Sequence, residues 1–135
     1  HVLSGVVFRD FGALVTGSNM APLEGRLDFN LDGIPEGFKE SVEAAINAEV
    51  DADRAIRAYA LPREEAFAIP DIIRTATNLL PQEIEIVRIV DIDGLDVQAD
   101  GGTHVASTRQ VGRMRVVKVE NKGKGFRRIR VALED

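Results

Sequence analysis

Arg113-Met-Arg-Val-Val-Lys-Val-Glu120, Asn121-Lys-Gly-Lys-Gly125 and Phe126-Arg-Arg-Ile-Arg-Val-Ala-Leu-Glu134 are three consecutive stretches that read as strand, turn and strand. Residues 113–120 alternate, and residues 126–134 alternate again with Ile129, Val131 and Leu133 on one face. A period of two puts successive side chains on opposite faces of a pleated strand, so each run is a half-buried strand. The glycine-rich turn between them makes a hairpin. An antiparallel sheet follows, and the rest of the chain is read as what pairs with it and what covers it.

Leu23 to Leu31 carries the same period, with Leu23, Gly25, Leu27, Phe29 and Leu31 facing one way and Glu24, Arg26, Asp28 and Asn30 the other. Before it, Val15 to Met20 is a loop or short strand of small polar residues; after it, Asp32-Gly33 and Pro35 form a turn. Arg54–Leu61 and Glu83–Asp91 read as strands, and Asp93-Gly94 turns the second into Leu95–Gln98, a hairpin that delivers the chain to Asp100. Helical spacing occurs in two places. Val2, Leu3, Val6, Val7 and Phe8 cluster within His1–Leu14, with Gly12 as a stop. Phe38, Val42, Ala45, Ile46 and Val50 form the apolar stripe of Glu36–Ala52. Pro62 to Phe67 starts a short helix with acids in its first turn, and Asp71–Leu80 is a short helix or an ordered loop. The mixture predicts an α+β domain spanning residues 1–135, an antiparallel sheet with helices packed on one face.

The chain is long enough for one core, which must be built from Val, Ile, Leu and Ala because aromatics are scarce and Trp is absent. Without cysteine there is no disulfide and no thiolate metal site, which fits a reducing cytoplasm. No apolar run approaches the roughly 20 residues that span a bilayer, so no membrane partner is expected. The net charge of −5 conceals an asymmetry: between Arg109 and Arg130 nine basic residues stand against one acid, Glu120. A polyanion docked on one face accounts for such a block, and so does a solvated hairpin whose charges keep an edge soluble.

The chain has two histidines, His1 and His104. Asp100 precedes His104 by four residues, and Gly101 and Gly102 between them allow a tight turn and a close ligand approach. Asp oxygen and His nitrogen are both zinc ligands, so the pair reads as half of a metal site or as an exposed histidine beside a turn. His1 joins it only if the fold brings the first helix close. A site of these three residues alone would leave a coordination position open, as catalytic zinc sites do.

Asp100-Gly-Gly-Thr-His104-Val, followed by Thr108, Gly112 and Glu120-Asn-Lys-Gly-Lys-Gly-Phe-Arg-Arg-Ile129, resembles the alanyl-tRNA editing family. That family comprises the free-standing AlaX-type deacylases and the editing domain of alanyl-tRNA synthetase. His1-Val-Leu-Ser-Gly5 fits the second half of the family's His-x-x-x-His helix, and Arg26-Leu-Asp-Phe29 also matches in place. The resemblance implies the editing-domain fold and zinc-dependent hydrolysis of mischarged tRNA for alanine, with serine as the main misattached amino acid and glycine as a second. It implies zinc held by His1, Asp100 and His104, with a further histidine expected four residues before His1 and an upstream segment or domain expected to precede it. Asp100 stands where many relatives carry cysteine, which makes the site harder.

Around such a centre the candidate catalytic residues are Thr103 and Asn19, able to read the seryl hydroxyl, and Gln98, able to order a ligand. Gly101, Gly102 and Thr16 would line the substrate site, and Lys122, Lys124, Arg127 and Arg128 would hold the tRNA acceptor end through its phosphates. A tRNA-binding module that keeps the fold and the basic hairpin without a complete metal site is the alternative.

Overall fold

The computed structural model describes residues 1–75, 78 and 80–134. In chain order the elements are α1 (Val2–Phe11), β1 (Val15–Ala21), β2 (Glu24–Phe29), α2 (Phe38–Asp51), β3 (Ile56–Pro62), α3 (Arg63–Phe67), β4 (Ile86–Ile92), β5 (Asp96–Ala99), β6 (Met114–Asn121) and β7 (Arg127–Leu133). A 3₁₀ turn at Thr108–Val111 precedes β6. None of the described helices is long and apolar enough to cross a membrane.

The α+β class is as expected, with one difference. The strands divide between two antiparallel sheets, one ordered β1-β2-β7-β6 and one ordered β3-β4-β5. Alternation specifies which face of a strand is buried but carries no information about its neighbour, so a single sheet and two sheets have the same sequence pattern. The terminal hairpin forms as read, with Val119 opposite Ile129 and Asn121 opposite Arg127. Its turn uses Gly123 and Gly125 at φ 115° and 81°, a region in which a Cβ is strained. The small polar stretch at residues 15–21 is a strand because it pairs along β2, from Val15 opposite Phe29 to Ala21 opposite Glu24. In the stretch expected to be a short helix or ordered loop, Asp71 lies in a turn and Thr75 bridges Val15; residues 76, 77 and 79 lie outside the described residues.

Two apolar clusters hold the elements together. The larger joins Val6 and Val7 of α1, Val42 and Ile46 of α2, and Phe29, Val116 and Ile129 of the four-stranded sheet, all essentially removed from water. The smaller joins Ala66, Ile72, Val87 and Ile89. Strand β4 serves both, because Val87 and Ile89 face the smaller cluster while Ile92 faces the larger. The same alternation in β5 sends Val97 and Ala99 into the smaller cluster. Asp96 and Gln98 therefore point the other way, towards α1, and both are buried.

The main helix closes the edge of the four-stranded sheet. The Asn47 side chain donates to the Met114 carbonyl at 2.7 Å and accepts from the Met114 N–H at 2.9 Å, and Glu43 accepts from the Val116 N–H at 2.8 Å. These bonds occupy backbone groups of β6 that would otherwise offer an edge for further pairing.

Candidate metal centre

His1, at the start of α1, reaches the segment that follows β5. Its Nε2 lies 3.2 Å from Asp100 Oδ2, and the same oxygen lies 2.6 Å from His104 Nε2. The two imidazoles stand edge to face with centroids 4.6 Å apart. One ligand atom from each of the three residues falls within 4.8 Å of the others. The side chains of His1, Asp100 and His104 are 21, 31 and 20% exposed, so the cluster is held by the protein and open to a solute.

Local structure fixes each member. Asp100 follows β5 directly, with its N–H donating to the Arg88 carbonyl at 3.1 Å. The Arg88 guanidinium donates to the Asp100 carbonyl at 3.0 Å and also to the Gly102 carbonyl, which shapes the loop between Asp100 and His104. Beyond His104, Gln110 Oε1 accepts from the N–H groups of Ala106 at 2.9 Å and Ser107 at 3.3 Å. The buried Thr108 hydroxyl donates to the Glu49 carbonyl at 2.7 Å and accepts from the Arg54 N–H at 2.8 Å. Both ends of the loop are thus tied to secondary structure, and its centre is exposed.

Gly101, Gly102 and Thr103 form that exposed centre. A Cβ at Gly101 would meet nothing within 4 Å, so open space lies over the loop there. Gln98 is not a surface residue. Its Nε2 donates to Asp96 Oδ2 at 2.6 Å and contacts Ser4 Oγ at 3.3 Å. Asp96 Oδ2 in turn stands 4.0 Å from His1 Nδ1, while its other oxygen pairs with the Arg74 guanidinium. Burial pushes the Asp96 carboxyl up, and the nearby Arg74 charge and the Gln98 hydrogen bond act in the opposite direction.

Thr16 is exposed near the start of β1, one residue after the Val15 N–H that donates to the Arg74 carbonyl at 3.0 Å. Asn19 lies further along β1 opposite Arg26, and it lines a shallow groove with Glu24, Arg26, Arg130 and Val131. None of His1, Asp100 and His104 lines that groove. The four basic residues near the hairpin separate into two pairs. Lys122 and Lys124 are exposed, the former 3.1 Å from Glu120. Arg127 donates to the carbonyls of Gly123, Phe126 and Asp32, and Arg128 forms a two-pronged pair with Asp28 at 2.8 and 3.1 Å.

Sequence reasoning passed over Arg74, Arg88, Asp96 and Ser4. A signal was present for Asp96, since Asp96, Gln98 and Asp100 recur at every second position and must share a face. Nothing in the pattern indicated that α1 would cover it.

Two imidazole nitrogens and a carboxylate oxygen, converging from α1 and from either end of a glycine loop, form a donor set able to hold a metal ion. A sequence profile described as the threonyl and alanyl tRNA synthetase second additional domain matches residues 87–130, from β4 to β7. The chain is 43% identical over 129 residues to an alanyl-tRNA editing protein AlaX-M of Saccharolobus solfataricus, covering 96% of this chain and 53% of that protein. It is 31% identical over 135 residues to the AlaX-M protein of Methanosarcina barkeri, covering 100% and 56%. It is also 33% identical over 132 residues to an alanine–tRNA ligase of Pyrococcus furiosus, covering 96% of this chain and 14% of the ligase. The chain spans about half the length of the two editing proteins.

Proposed function

The chain belongs to the alanyl-tRNA editing family, and from that membership we propose that it hydrolyses the ester between a wrongly attached amino acid and tRNA for alanine. Serine is the principal substrate amino acid and glycine the second, and the reaction takes place in the cytoplasm. The observation that carries this reading is the convergence of His1, Asp100 and His104, which the family motif requires and which the sequence alone left open.

The donor set fits zinc. It combines two borderline nitrogens with one hard oxygen, and His1 turns Nε2 towards the cluster while its Nδ1 is buried on the other side of the ring. His1, Asp100 and His104 would hold the ion. When bound, zinc supplies Lewis acidity towards an ester carbonyl or a water molecule.

The protein's own residues bind and select. Gly101 and Gly102 let the aminoacyl group approach the backbone beside the cluster, with Thr16 on the opposite wall. Thr103 is exposed on that loop and hydrogen-bonds the seryl hydroxyl, and Asn19 is the second candidate for that role. A site that binds a hydroxyl rejects the analogue lacking it, which separates seryl from alanyl esters. Gln98 acts from behind through Asp96. Water adds to the ester carbonyl, the bond to the ribose oxygen breaks, and that oxygen leaves with a proton. Lys122 and Lys124 contact phosphates of the acceptor end and orient it without reading sequence.

The test is deacylation of Ser-tRNA and Ala-tRNA, both on tRNA for alanine, by the zinc-loaded protein in its full length. Seryl ester should be cleaved faster, and His104→Ala should abolish the cleavage. Equal rates on the two esters, or full activity in His104→Ala, would refute the reading. A metal-free protein that still binds tRNA and cleaves neither ester would instead favour the binding-module alternative.

A further inference from the structure

Beneath the metal cluster lies a set of buried polar groups, of which the reading above uses Gln98 and Asp96 only as a link. Asp96 has a fully buried side chain, and Arg74 is almost as deeply buried. Burying charges is costly unless they are paired and hydrogen-bonded. Here each has partners: Arg74 faces Asp96 Oδ1, its Nε donates to the Asp71 carbonyl at 3.3 Å, and its guanidinium sits 4.1 Å over the Phe8 ring. Gln98 holds Asp96 Oδ2 and also reaches Ser4 on α1. His1 Nδ1 and Asp96 Oδ1 are both buried without a hydrogen bond among the described residues; Oδ1 has the Arg74 charge against it, and Nδ1 stands 4.0 Å from Asp96 Oδ2. The two nitrogens of His1 therefore face two different carboxylates, Nε2 towards Asp100 at the surface and Nδ1 towards Asp96 inside.

We propose that Asp96, anchored by Arg74 and Gln98, is a positioning residue that accepts the Nδ1–H of His1 and so keeps the Nε2 lone pair directed at the metal. A histidine ligand characteristically donates its second ring N–H to a carboxylate or carbonyl, which selects the tautomer and fixes the ring plane. Closing the 4.0 Å separation to a hydrogen bond takes a movement of about 1 Å. Arg74 is required because a carboxylate at this depth is costly without an opposite charge against it. Gln98 is required because its amide fixes which way the Asp96 oxygens point. The unit rests on the metal reading above only for its consequence; the tautomer it imposes exists with or without the ion.

The test replaces the ion pair with apolar residues of similar volume, Arg74→Met with Asp96→Leu, so that no charge is left buried and unpaired. Two quantities are measured on the protein in its full length. One is the Zn2+ dissociation constant, by competition with a chromophoric chelator. The other is the ¹⁵N shift pair of the His1 ring in the metal-free protein. The unaltered protein should show His1 as a single Nδ1–H tautomer. The double variant should mix tautomers and bind Zn2+ about 10–100-fold more weakly, the range typical when the group that orients a histidine ligand is removed. A single Nδ1–H tautomer retained in the variant, with Zn2+ affinity within about twofold, overturns the proposal. If the double variant does not fold, Gln98→Met is measured instead, and unchanged affinity with an unchanged tautomer overturns it there. Failure of the unaltered protein to bind Zn2+ would refute the metal reading alone, because the ¹⁵N shifts still report whether Asp96 orients the ring.

Discussion

Asp28 accepts hydrogen bonds from Arg128 at 2.8 and 3.1 Å and from Arg26 at 2.7 Å, which places two guanidinium groups around one carboxylate on the outer face of the four-stranded sheet. The Arg128 hydrogen bond, with Arg26 beside it, holds its carboxyl below the usual carboxylate range. A depressed folded-state pKa contributes stability that is complete above the unfolded value, about 3.9, and is lost as pH falls through the folded value. The urea midpoint of the protein should therefore fall as pH drops below about 4, and Asp28→Asn should flatten that fall. Parallel curves for the two proteins would show that Asp28 contributes nothing to acid sensitivity. At the site, Thr103→Ala should reduce the ratio of kcat/KM for seryl over alanyl ester by about tenfold, the value of one hydrogen bond. A ratio left intact would transfer the hydroxyl-reading role to another residue, Asn19 first.

Helix α1 carries His1 to the site only because it lies unusually close to β5. Gly5 makes that approach possible, since a Cβ there would sit 3.1 Å from Asp96 Cβ and 3.2 Å from Leu95 Cγ. Alanine is the better helix former by about 1 kcal/mol, but forcing a methyl into a packed interface costs about 1–3 kcal/mol. Gly5→Ala should therefore lower stability in urea unfolding by about 1 kcal/mol. Net stabilisation would mean that α1 can move away from β5 freely, and that its placement does not depend on this close approach. Strand β5 is the other half of the same device. With only four residues it presents Val97 and Ala99 to the smaller core and Asp96 and Gln98 to α1, so one short element supports both the core and the site.

Across the whole molecule the basic block is less available than its composition suggests. Arg113 lies 3.9 Å from Glu134 and Arg109 lies 3.7 Å from Asp53, while Arg128 pairs with Asp28 and Arg130 with Glu120. Glu120, beside Arg130 and Lys122, is held down to about 2, so it stays ionised and neutralises part of the hairpin at any physiological pH. Arg115, Lys118 and Lys124 have no acidic partner among the described residues. Phosphate binding should follow that division. Replacing Lys122 and Lys124 by alanine should weaken tRNA binding and reduce the slope of log K against log salt by about 0.7–0.9 for each phosphate no longer neutralised, with Lys124 the larger contributor. Arg128→Ala should instead lower stability and leave the slope unchanged. The reverse pattern would put Arg128 on the nucleic acid and the lysines on an ordinary solvated surface.

The amino-acid sequence by itself determined the elements whose cause is local. Alternation specified the terminal hairpin, a 3.6-residue stripe specified α2, and glycines stopped α1 and turned the hairpin, because each depends on a single segment's own periodicity and backbone freedom. The Asp100 to His104 motif was legible for the same reason, since both residues lie on one short loop. Tertiary structure alone decided the division into two sheets and the arrival of His1 at that loop. It also decided the fate of Asp96 and Gln98, two polar residues on a strand whose alternation reads as half exposed. Those two are buried because α1 docks over them through Gly5, and periodicity says which side chains share a face but not what will cover it. The opposite happened to Arg127 and Arg128: they read as free positive charge, and the fold committed them to a turn and to Asp28, because pairing depends on neighbours that are distant in the chain.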